Sequence, residues 1–120
     1  MIDVLEFVLA RLDEDQAWAK KCLAEDRSPR AWAALRSIVW SGLGHKIAPT
    51  RTQAHALHMA HHSPGRVLRD VAARRRLVQR ITEAKKVDVR PALGEEREVV
   101  LRLLALPYAD HPDYKKEWRI

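Results

Sequence analysis

Apolar residues recur along most of this chain at spacings of three and four, the period of helices that bury one face. Turning about 100° per residue, Leu5, Val8, Leu9, Leu12, Gln16, Ala19 and Leu23 line one side of a first helix from Asp3 to about Asp26. Asp3 and Glu6 have capping-box spacing, which starts a helix by satisfying its free backbone N–H groups. Phe7 and Trp18 fall nearly opposite. They form a second apolar strip, to be covered by the chain end or by another subunit.

Ser28-Pro29 carries a second start signal, serine at the cap and proline in the first turn. Ala31, Trp32, Leu35, Ile38 and Val39 follow at helical spacing, which predicts a helix over about 29–40. Ser41-Gly42-Leu43-Gly44 stops it, and a short helix follows over about 52–62. Ser63-Pro64 opens a long helix over about 64–86, with Val67, Leu68, Val71, Leu77, Val78 and Ile81 as its buried stripe. Arg74 points into that stripe and needs a carboxylate beside it, since an unpaired buried charge is strongly destabilising. A fifth helix covers about 92–106, with Glu95, Glu96 and Glu98 near its positive end and Pro107 ending it. The pattern predicts an all-α fold: a single domain, 1–120, in which about five helices (about 3–26, 29–40, 52–62, 64–86 and 92–106) form a bundle closed by an aromatic C-terminal tail.

Composition supports a globular helical chain. Of 120 residues, 47% are hydrophobic and 32% charged, while four glycines and six prolines leave little for a turn-rich β protein. Cys22 is the only cysteine, so no intrachain disulfide forms, which fits a reducing compartment. Asp3, Glu6 and Arg11 break the first apolar stretch, and no run approaches the ~20 apolar residues that span a bilayer. The expectation is a cytoplasmic protein with no membrane partner.

Charge is lopsided. The net value is +6, but residues 1–26 carry three basic and seven acidic side chains, whereas residues 27–90 carry fourteen basic and three acidic. A basic middle segment either meets the acidic first helix or meets a polyanion. Arg66, Arg69, Arg76 and Arg80 cluster in one arc of the long helix and could track a phosphate backbone, although that arc has no Asn, Gln or Ser to read bases.

His55, His58 and His62 share one side of the short helix, and the i, i+4 pair His58/His62 is a competent two-point chelate for a divalent metal. Asp110 or His111 in the tail would have to supply a third ligand; otherwise the imidazoles are solvated or cap neighbouring groups. No cofactor is otherwise implied. Catalytic chemistry has little to stand on: there is no glycine-rich phosphate loop, no nucleophile elbow and no paired metal-binding cysteines. Cys22 lies on the flank of the first helix's buried face, where packing is its default role. In the tail, Tyr108, Tyr114 and Trp118 offer large apolar area with polar tips. They either close the core, over Phe7 and Trp18, or dock a partner.

The tail stretch Leu104-Ala105-Leu106-Pro107-Tyr108-Ala109-Asp110-His111-Pro112-Asp113-Tyr114, with Glu117-Trp118-Arg119 after it, resembles the end of a family of short actinobacterial proteins that also occurs in phages of such hosts. Phe7 to Asp15 and His58 to Leu68, running into Ala73 to Leu77, are similar to that family too. The family is a domain of unknown function, so the resemblance implies a shared fold and no activity. Two departures stand out. Family members often carry a hairpin-like insert where this chain shows the Trp32–Trp40 helical pattern, and they tend to have aspartate at Ser63. A family metal site built on His58, His62 and that aspartate would be weakened by Ser63. The resemblance marks His58, His62, Arg74, Asp110 and His111 as the first residues to test.

The leading functional expectation is a small non-enzymatic interaction module that self-associates into a homo-oligomer or takes a protein partner. The alternatives are a nucleic-acid binder using the arginine face and a metal-binding protein using the histidine helix.

Overall fold

Helical spacing is realised as helix in four places and as sheet in one. The computed structural model describes residues 2–28, 31–87 and 91–120. Within them lie α1 (Val4–Asp26), β1 (Ala33–Leu35), β2 (Ile38–Trp40), β3 (Lys46–Pro49), α2 (Gln53–His61), α3 (Pro64–Val87) and α4 (Pro91–Ala105), with short 3-10 turns at Leu106–Tyr108 and Lys116–Trp118. The expected all-α bundle of five helices is therefore corrected to four helices and a three-stranded antiparallel sheet. The helix expected over 29–40 is two strands. Pro29, which was to start it, lies outside the described residues. The helices over 3–26, 52–62, 64–86 and 92–106 form with their ends within about two residues of the expected ones.

The sheet has the order β1-β2-β3, with Leu35 opposite Ile38, Ala34 opposite Val39 and Val39 opposite Ala48. Arg36 and Ser37 alone connect β1 to β2, and Arg36 adopts a left-handed φ of 58°. The Ser41–Gly44 segment, expected to stop a helix, turns β2 into β3. There the Ser41 backbone N–H donates to the His45 carbonyl at 2.7 Å, and the Ser41 hydroxyl accepts the His45 N–H at 3.1 Å. Gly44 sits at φ 82°, where glycine avoids the Cβ clash. Thr50 closes the sheet's far end by donating its hydroxyl to the Ser37 carbonyl at 2.7 Å. The hairpin insert that the family resemblance leads one to expect is thus present, and that departure disappears.

The chain divides into two compact units, Met1–Glu14 with Ala72–Ile120, and Asp15–Val71. In the second, α2 packs on β1 and β2, where Val39 and Ala56 are fully buried. Val39 lies between half-buried Ile38 and Trp40, the alternation of a strand with one covered face. Thr52 caps α2: its side chain accepts the His55 N–H at 3.3 Å and meets His55 Nδ1 at 2.6 Å.

The first unit has the larger side chains in its core: Val4, Phe7, Val8, Leu12, Val78, Leu101 and Trp118 are buried. Phe7 is the hub. The rings of Tyr108, His111, Tyr114 and Trp118 surround it at centroid distances of 6.4, 5.5, 5.9 and 5.1 Å. The tail reaches this position through consecutive tight turns, Ala109 N–H to Leu106 O, His111 N–H to Tyr108 O and Tyr114 N–H to His111 O. Arg102 then ties α4 to the tail, pairing through Nε with Glu98 at 3.2 Å and donating through Nη1 to the Glu117 carbonyl at 3.1 Å. The acidic first helix meets the basic segment at Asp13, which pairs with Arg75. Among the described residues no helix is long and apolar enough to cross a membrane.

Candidate functional site

Asp15, Trp18, Ala19 and Cys22 stand at i, i+3, i+4 and i+7 on α1, so helical geometry places all four on one face. With Trp32, His62 and the Pro64, Val67 and Asp70 face of α3 they line an open groove of about 330 Å³ in the Asp15–Val71 unit. Trp18 is 62% exposed. Trp32 is held in place: its indole Nε1–H donates to Asp26 Oδ2 at 2.7 Å. The Lys21 ammonium lies 5.6 Å from the Trp18 ring centroid, within cation–π range. Burial, then the Asp26 and Glu25 carboxylates, push the Cys22 thiol up from its ordinary value, against a smaller opposite pull from Lys21.

A second surface lies in the other unit. Val99 and Leu103, one turn apart on α4, are 47% and 51% exposed. Val99 also lines a groove of about 340 Å³ together with Glu95, Glu98, Arg102, Arg119 and Ile120, and Ile120 is 63% exposed.

The residues singled out from sequence fare differently. Phe7, Tyr108, Tyr114 and Trp118 come together, the tail sealing Phe7, while Trp18 is exposed. His58 and His62 also come together, ring centroids 4.6 Å apart, both exposed. Among the described residues, however, no group of three or more His, Cys, Asp or Glu side chains is arranged to hold a metal ion. His111 Nδ1 accepts the Asp113 backbone N–H at 3.1 Å, so one of its two ring nitrogens already serves the tail's turn. Arg66, Arg69, Arg76 and Arg80 are all exposed, and Arg66 donates through Nη1 to the His61 carbonyl at 3.0 Å. Arg74 is half-buried and engages another group of the protein, whereas Leu77, expected in the buried stripe, is exposed.

Asp15, Trp32, Asp70, Val99, Leu103 and Ile120 were not singled out from sequence. The i, i+3, i+4, i+7 spacing of Asp15, Trp18, Ala19 and Cys22 was the available signal; Trp32 was hidden by the mistaken helix.

No curated protein and no solved structure matches this chain. A model for a family of unknown function (DUF6221) matches residues 1–120, and the chain therefore belongs to that family.

Proposed function

We propose that the protein is a non-enzymatic interaction module whose partner is a second copy of itself, paired through the outer face of α4. The observation that carries this reading is the exposure of Val99 and Leu103 on successive turns, with Ile120 beside Val99. Removing such surface from water contributes about 25 cal/mol per Å², and contiguous apolar exposure is what association buries. The rim favours a copy over an unrelated partner. It holds both signs, Glu95 and Arg119, and a two-fold pairing sets the same patch against itself, so each acidic group can meet a basic one.

Light scattering coupled to size exclusion tests the reading. The wild type is expected as a dimer at high micromolar concentration, and Leu103→Glu as a folded monomer, because Leu103 is not a core residue. A monomeric wild type, or a dimer indifferent to Leu103→Glu, overturns it.

A further inference from the structure

We infer that the groove between Trp18, Trp32 and Asp70 binds an organic cation, an alkylammonium or a guanidinium group. Its lining contains two indoles, two carboxylates, the His62 imidazole and no lysine or arginine, in a chain of net charge +6. Indole faces attract cations through their quadrupole, and the Lys21 ammonium over Trp18 is an instance of that attraction within the molecule. Trp32 is pre-oriented by its bond to Asp26, so little freedom is lost when a ligand stacks on it.

The carboxylates supply the charge. Asp15 and Asp70 each also interact with another group of the protein. A carboxylate has about four acceptor sites, so it can take a further donor from a ligand. The amino end of α3 at Pro64 and the Lys21 ammonium beside Trp18 both oppose a cation, and the two carboxylates of the groove wall work against them. A metal ion is a poor fit, because the Asp, Cys and His side chains here do not form a ligand set. A bulky, weakly hydrated cation fits an aromatic wall better than an inorganic one does.

Two sources offer this chemistry: a free quaternary ammonium compound, and a lysine or arginine side chain of a polypeptide. The test is an NMR titration of the full chain, following the indole N–H signals. The probes are choline, its uncharged carbon isostere 3,3-dimethylbutan-1-ol, and the capped tripeptide Gly-Arg-Gly. A cation is expected to shift the Trp18 and Trp32 signals saturably, and loss of one ring in Trp18→Ala should weaken it about 5- to 30-fold. Asp70→Asn should weaken the cation and leave the alcohol unchanged. Tighter choline assigns a small-molecule source, and tighter peptide a polypeptide one. The inference is overturned if neither cation saturates by about 50 mM, or if the uncharged alcohol binds as well as choline. Neither result bears on pairing through α4, which light scattering reads separately.

Discussion

The indole of Trp118 lies 5.1 Å from the ring of Phe7, centroid to centroid, with the planes inclined by 52°. Tyr114 sits edge-on to both, 5.9 Å from Phe7 and 5.5 Å from Trp118. Residues separated by almost the whole sequence therefore form one packed cluster, and each ring loses its partners if another is removed.

Phe7→Ala and Trp118→Ala should each destabilise the fold by about 3–5 kcal/mol, a large part of the stability of an ordinary domain. Urea titration followed by far-ultraviolet circular dichroism measures this. Because the two rings touch, the double variant should lose less than the sum of the single losses. Unchanged midpoints would mean that the tail does not close this core.

Cys22 should be slow to alkylate. Only the thiolate reacts, and burial together with Asp26 and Glu25 holds the thiol protonated. The iodoacetamide rate should therefore rise with pH through an inflection above the ~8.5 of a free cysteine. Glu25→Gln should lower that inflection only slightly, burial being the larger cause. A thiol pKa raised by folding contributes stability below the unfolded value, which is lost as pH climbs through the folded one. An inflection at or below that of a free thiol would contradict this environment.

Arg36→Gly should stabilise the protein. A non-glycine residue in the left-handed region costs about 1–2 kcal/mol, and Arg36 is exposed at φ 58°, so its side chain gives little in return. After the extra freedom of glycine in the unfolded chain is subtracted, the net gain should be roughly 0.5–1 kcal/mol. A raised midpoint for Arg36→Gly but not for Arg36→Ala is the expected result. Equal midpoints for all three would show the turn to be unstrained.

Arg36 also explains why the sheet was not legible. A two-residue hairpin usually announces itself with Asn-Gly or Asp-Gly, and this one reads Arg36-Ser37. Meanwhile Trp32, Leu35, Ile38 and Val39 stand at spacings that suit one helical face, so period alone chose wrongly in a segment too short to discriminate. The four helices were legible because each is longer or properly punctuated: Thr52 before α2, Ser63-Pro64 before α3, Pro91 at the start of α4. Of the residues lining the candidate surfaces, Trp18 and His62 stand out in the sequence, the first in an apolar strip and the second in a chelate pair. Asp70 and Trp32 join them through tertiary packing, and no local signal encodes that meeting.

The environments of Trp18 and Trp118 differ sharply, the first 62% exposed on a groove wall and the second 5% exposed in a core. Indole emission is sensitive to its surroundings, so the molecule carries its own optical probes for two separate events. Quenching at the outer indole would follow occupancy of the groove, while a red shift from the inner one would follow loss of the aromatic cluster. Trp18→Phe and Trp118→Phe variants separate these two signals from each other and from the emission of Trp32 and Trp40, without an attached dye.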